Sequence, residues 1–272
     1  MKIPRLILFK AMIKGRFVMR KKYFSPMIGD RIIYLKSVAS TNSYAWQLLN
    51  AEHPAEGTVV NCTNQTDGRG MQGNNWESEA DKNLAFSVIL YPEFLDIDYF
   101  FALNQVAALS VCEFLRETTG EDFKVKWPND VMFENKKIAG ILIENNLRGN
   151  IVTASVAGIG ININQTNFMS YMPDAVSLKM ITGKIYALDK MLNEVCVKMN
   201  DYYDILKQGD YNFLHREYHR FLYRYNEQHQ FQKNGIYFNG IIKGVRADGK
   251  LLLADEYGIN QVIDVKEVRF VY

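Results

Sequence analysis

Between residues 123 and 163 the chain passes through four strand-like segments, the last rich in Val, Ile and Ala, with room for little but turns between them, and this stretch constrains its fold most. Strands are predicted at 123–127, 131–134, 138–144 and 150–163. Upstream, 31–38 and the β-branched 57–63 also read as strands, and 83–91 as a buried one. Ser40-Thr41-Asn42 supplies cap-type side chains to a helix that places Ala45, Leu48, Leu49 and Glu52 on one face. Residues 96–118 show a 3.6-residue apolar period through Phe100, Leu103, Ala107, Val111 and Phe114, ending at Gly120. Further helices are predicted at 187–206 and 211–221. This order makes residues 27–224 an α+β body, a mixed sheet with helices to one side. From Asn226 the texture changes. Short segments around Gln230, Gly240, Leu251 and Val262 are broken by Asn-Gly, Asp-Gly and Tyr-Gly turns, which predicts a small antiparallel barrel over 225–272.

A formal charge of +2 conceals an asymmetry. Residues 1–22 hold eight Lys or Arg and no acid, so residues 23–272 carry 24 basic against 30 acidic side chains, or −6. A body of that sign is a poor wrapper for nucleic acid, and no specific DNA contact is expected of it. The basic segment lacks the serines of a transit peptide and the apolar stretch of a secretory signal, so residues 1–26 are expected to be a disordered extension. No apolar run approaches the ~20 residues that span a bilayer, so no membrane contact is expected. Cys62, Cys112 and Cys196 are odd in number and scattered. They form neither a disulfide framework nor a zinc site, and they fit a reducing cytoplasm.

Several motifs dissolve on their context. Gly68-Arg69-Gly70-Met71-Gln72-Gly73 matches GxGxxG, yet a dinucleotide site needs a helix directly after it, and here the next element is the strand near Leu84. What survives is a glycine-rich loop, within the long polar stretch 64–82, that brings backbone N–H groups and Arg69 to an anion. A loop of that length inside a compact domain is usually functional or disordered. Residues 244–250 imitate a phosphate loop, but Leu251 stands where Ser or Thr is required, and Asp248-Gly249 reads as a hairpin turn. His215 and His219 stand i,i+4 without the HExxH glutamate and read as a solvated helix face. Lys124-Val125-Lys126-Trp127-Pro128-Asn129-Asp130 is the informative segment. Pro128 ends a strand and Asn129-Asp130 turns the chain at a sheet edge, to which the following strands return Lys137. A lysine opening an apolar strand can simply snorkel. Its recurrence beside an Asn-Asp turn and an arginine-bearing loop favours a site for a charged ligand.

Ser40-Thr41-Asn42, Gln65, Gly68-Arg69-Gly70, Trp76, Lys126 to Asp130, Lys137 to Leu142, Gly158-Ile159-Gly160-Ile161-Asn162 and Ala175 to Leu178 together resemble the ordered signature set of biotin–protein ligases. The resemblance covers roughly residues 33–270. It implies a catalytic domain related to lipoate ligases, a C-terminal Src-homology-3-like barrel, and a two-step reaction on biotin and ATP with Mg²⁺. Biotinyl-5′-AMP forms first, and its biotinyl group passes to a lysine of a biotin carboxyl carrier domain. By the same resemblance, Ser40, Thr41, Asn42 and Gln65 bind the ureido end of biotin. Gly68, Arg69, Gly70 and Met71 order over its carboxylate and the phosphate, and Gly140 belongs to the strand that lines its chain. Lys137 bridges carboxylate and α-phosphate, Trp76 stacks near adenine, and Asn129 and Asn162 contact the nucleotide or its metal. Asp130 sits by the acceptor amine, and no direct metal ligand is assigned. A monomer and a homodimer are both compatible. A lipoate or octanoate ligase or transferase on the same scaffold is the alternative. Two departures stand out. Only about 30 residues precede Ile33, too few for the winged DNA-binding domain of some members, and Met71 occupies a loop position often held by arginine.

Overall fold

The computed structural model describes residues 7–13, 16–22, 27–169 and 174–272. Two strands, β1 (Ile7–Ile13) and β2 (Arg16–Lys22), pair antiparallel with Ile7 opposite Lys22. They fall in the segment expected to be disordered.

The body is a seven-stranded sheet ordered β3-β4-β5-β9-β8-β7-β6. Its members are β3 (Ile32–Leu35), β4 (Val59–Cys62), β5 (Leu84–Leu90), β6 (Phe123–Lys126), β7 (Asp130–Phe133), β8 (Lys136–Arg148) and β9 (Ile151–Ile161). Only β3 and β4 run parallel, so the sheet is mixed as expected. The helices are α1 (Thr41–Glu52), α2 (Phe101–Thr119), α3 (Leu178–Thr182), α4 (Leu188–Lys207) and α5 (Tyr211–Phe221). The start of α2 falls later than its apolar period suggests because Asp96 first caps a 3₁₀ turn at Ile97–Tyr99.

Helices lie on both faces of the sheet, not one. Every residue of β5 is buried, which a strand covered on a single face cannot achieve. Phe86 and Val88 join the large core with α2, α4 and α5, while Ile89, Val60 and Val156 pack with Ala45 and Leu48 of α1 on the other side. Glu52, expected on the inner face of α1, is exposed.

The C-terminal module is a five-stranded antiparallel sheet ordered β13-β12-β11-β10-β14. It comprises β10 (Gln228–Lys233), β11 (Ile236–Val245), β12 (Leu251–Asp255), β13 (Asn260–Ile263) and β14 (Arg269–Phe270). Asp248-Gly249 makes the hairpin turn between β11 and β12, with Gly249 at φ +81° and its N–H donating to Arg246 O. That turn also meets the body, since the buried Trp127 indole donates to Gly249 O at 2.7 Å. The histidine pair is not a solvated face. His219 Nε2 accepts from Val245 N–H at 2.9 Å and its Nδ1 contacts His215 O at 2.7 Å, so the ring joins α5 to the barrel. Burial, then the neighbouring His219, lowers the His215 pKa. Among the described residues no group of three His, Cys, Asp or Glu could hold a metal ion, and no helix is long and apolar enough to cross a membrane.

Candidate active site

Side chains on a strand alternate between faces, and on the α1 side of β8 and β9 the alternation delivers glycine: Gly140, Gly158 and Gly160. Gly140 pairs with Gly160, and Gly158 lies opposite Ser87 on one side and Leu142 on the other. The missing side chains leave a hollow on the sheet. Two residues occupy its walls. The Asn42 carboxamide lies on Gly158 and the Trp76 indole on Gly160, each so close that a Cβ would overlap it. At Gly140 a Cβ would meet the Trp76 ring at 3.1 Å and Lys137 Nζ at 3.2 Å.

The resulting cleft is lined by Ser40, Thr41, Asn42, Gln65, Arg69, Gly70, Met71, Trp76, Asn129, Asp130, Lys137 and Gly140, twelve of the residues singled out from sequence. Gly68 and Asn162 do not line it. Gly68 closes the neck of the loop, where Trp76 N–H donates to its carbonyl and the Trp76 carbonyl leaves no room for a Cβ. Asn162 stands behind Lys137, its backbone N–H on Ile138 O and its Nδ2 on Val176 O.

One end of the cleft is a buried polar cluster. Ser40, Thr41 and Asn42 are each 3% exposed. Ser40 sits at the cap position of α1 without a side-chain capping bond. Gln65 takes that role from outside, its Oε1 accepting from Thr41 N–H at 2.8 Å and from the Thr41 hydroxyl at 3.1 Å. The short parallel bridge between Val38 and Gln65 brings it there. Ser87 Oγ lies 2.7 Å from Thr41 Oγ1 and 2.6 Å from Asn42 Oδ1, and its single proton serves one of them at a time.

The other end is charged. Lys137 Nζ lies 2.6 Å from Asp130 Oδ1, while Lys126 Nζ stands 4.0 Å from Asp130 Oδ2. Asn129, beside them, donates through Nδ2 to Ile141 O at 2.7 Å. Ala175 pairs with Lys137, whose N–H donates to Asp174 O and whose carbonyl accepts from Val176 N–H, so the 175–178 segment braces the lysine. Lys137 is therefore held by a carboxylate and a neighbouring chain, and does not merely reach for solvent. Over the hollow, the loop folds on itself through an Arg69–Asn75 bridge and a Gly70 N–H to Asn74 O bond. Arg69 leaves it to pair with Glu144 at 2.6 Å.

Two buried polar atoms beside this cleft have no partner among the described residues: Trp76 Nε1, a donor, and Asn162 Oδ1, an acceptor. Buried unpaired groups are costly, and a ligand that satisfied them would recover that cost. Sequence reading missed Ser87 and Glu144. The register could have found both, since Glu144 follows Gly140 by four on the same face of β8 and Ser87 lies opposite Gly158.

Residues 34–162 match the model of the biotin/lipoate A/B protein ligase family. The chain is 34% identical over 163 residues to a bifunctional ligase/repressor BirA of Bacillus subtilis, covering 59% of this chain and 50% of that protein. It is 35% identical over 126 residues to a biotin–[acetyl-CoA-carboxylase] ligase of Paracoccus denitrificans, covering 46% and 51%. The chain thus spans about half the length of these curated relatives. Among solved structures, a biotin protein ligase from Aquifex aeolicus in complex with biotin and ATP superposes with a TM-score of 0.74 at 30% identity. That likeness covers 89% of this chain and all of the other.

Proposed function

We infer that this chain, which belongs to the biotin/lipoate A/B protein ligase family, is a biotin–protein ligase that makes biotinyl-5′-AMP from biotin and ATP and passes the biotinyl group to a lysine of a biotin carboxyl carrier domain. One observation carries the reading: a buried hydroxyl-and-amide pocket and a pair of cations, Arg69 and Lys137, line one cleft. A uniformly apolar slot would suit a fatty acyl or lipoyl chain. Buried polar groups suit a ureido ring, because they would be left unpaired by a ligand without one.

In the first step a biotin carboxylate oxygen attacks the α-phosphorus, and the bond to pyrophosphate breaks. Like charges approach, so cations fixed in advance around the reacting atoms lower the barrier. Lys137 and Arg69 are those cations. Ser40, Thr41, Asn42 and Gln65 hold the ureido ring, and Gly140 keeps the slot open for the chain. Trp76 and Asn129 face the nucleotide, and Asn162 stands behind Lys137 on the same side. Magnesium, when bound, would supply positive charge beside the phosphates. The uncommitted Asn162 Oδ1 fits such a hard cation, which usually takes few protein oxygens beside the substrate's own phosphates. In the second step the acceptor amine attacks the acyl carbon, AMP departs, and the amine sheds a proton. Asp130 is the carboxylate beside that path. Met71, on the cleft wall, gives the loop no second cation, so Arg69 alone supplies the loop's charge to the adenylate. Three free, buried cysteines suit a reducing compartment, and we assign the work to the cytoplasm.

The assignment is tested on an isolated carrier domain incubated with biotin, ATP and Mg²⁺. The expected result is one biotinyl adduct on one lysine by mass spectrometry. An unmodified carrier, or equal labelling when lipoate replaces biotin, contradicts it.

A further inference from the structure

The polar end of the cleft and the loop above it are joined by one carboxylate that does not itself line the cleft. Glu144 Oε2 accepts from Asn42 Nδ2 at 3.0 Å, and Glu144 Oε1 accepts from Arg69 Nη2 at 2.6 Å. Both ends of the Asn42 carboxamide are held there: its oxygen takes Ser87 and keeps one lone pair for a ligand, and its nitrogen divides between Glu144 and Leu142 O at 3.2 Å. Arg69 adds a weaker contact to Ser43 Oγ at 3.3 Å. Among the described residues, these Arg69 contacts are the polar side-chain ties of the 68–76 loop to the rest of the molecule. A further tie is the Trp76 ring, packed on Gly160 and Gly140 with Lys137 Nζ 5.7 Å from its centroid.

We propose that Glu144 is a positioning residue that anchors the glycine-rich loop over the cleft by tying Arg69 to Asn42. The anchor is a charge-assisted contact made at the edge of the hollow, where Glu144 is only 24% exposed. It holds the loop backbone over the ligand whether or not a ligand is present. A second consequence is coupling. The carboxylate that orients the Asn42 amide also sets the loop, so a ligand that engages Asn42 acts on a residue shared with the loop. This inference rests on the biotin-ligase reading for its ligand, and on the geometry alone for the anchor.

Glu144→Gln keeps the shape and removes the charge. Hydrogen exchange of the ligand-free protein is the first measurement. The amides of Gly70 and Trp76, bonded within the loop, should exchange about tenfold faster in Glu144→Gln, whereas those of Leu84–Leu90 keep their rates. Arg69→Gln should produce the same acceleration, and Arg69→Gln with Glu144→Gln no more than either alone. Biotinyl-adenylate release should also quicken about tenfold in Glu144→Gln. Unchanged loop exchange, or additive effects of the two substitutions, overturns the anchor. Slower release overturns it as well, since Glu144 would then be competing with the ligand for Arg69. A wild-type protein that forms no adenylate, with loop exchange still dependent on Glu144, would overturn the ligase reading and leave the anchor standing.

Discussion

Replacing Lys137 by alanine is expected to lower the rate of adenylate formation by at least ~10²-fold, the scale for removing a preorganised charge that faces a transition state. The substitution costs the strand little. Lys137 sits near the start of β8, its backbone bonds to Asp174 and Val176 do not depend on the side chain, and Asp130 keeps Lys126 as a more distant partner. Circular dichroism and melting temperature should stay near wild type. A variant that is folded and turns over at the wild-type rate would show that Lys137 serves only to pair Asp130.

The second large effect is expected at Gly158. A methyl group there would overlap the Asn42 carboxamide, which is held from three sides by Ser87, Leu142 O and Glu144. The amide must move, and its bonds to the ligand's polar end move with it. Each such bond contributes on the order of 1–1.5 kcal/mol net, and a buried polar group left unpaired costs more. Gly158→Ala should therefore raise the KM for biotin about 10- to 100-fold. The KM for ATP should change little, because Gly158 lies at the polar end away from Lys137 and Asp130. Equal rises in both constants would mean that the substitution disturbs the sheet rather than the pocket.

Much of this site is legible in the sequence because its residues are forced by local rules. Glycines at 158 and 160 in a β-branched run announce a close approach, and Pro128 with Asn129-Asp130 announces a turn that returns Lys137 to Asp130. What approaches those glycines is a tertiary fact. Nothing local says that Asn42 covers one and Trp76 the other. Ser40-Thr41-Asn42 carries a cap-like pattern, yet the structure gives the capping to Gln65 and turns Thr41 and Asn42 into the cleft. Local propensity was correct about where α1 begins and silent about what its first residues do. Helices on both faces were readable in β5, whose residues are apolar on both faces except for Ser87, since no one-sided sheet can bury such a strand. His219 was misjudged because its partner, Val245 N–H, comes from another module 26 residues on. Glu144 is legible only through register, since its even spacing from Gly140 puts it on the same face of β8.

The central claim is that this cleft activates biotin through an adenylate. Exchange of labelled pyrophosphate into ATP measures that step alone, without a carrier protein. The account predicts exchange that depends on biotin and Mg²⁺, saturates with biotin, and is absent when lipoate takes its place. Equal exchange with lipoate, or no exchange with either acid in a folded protein, would contradict it.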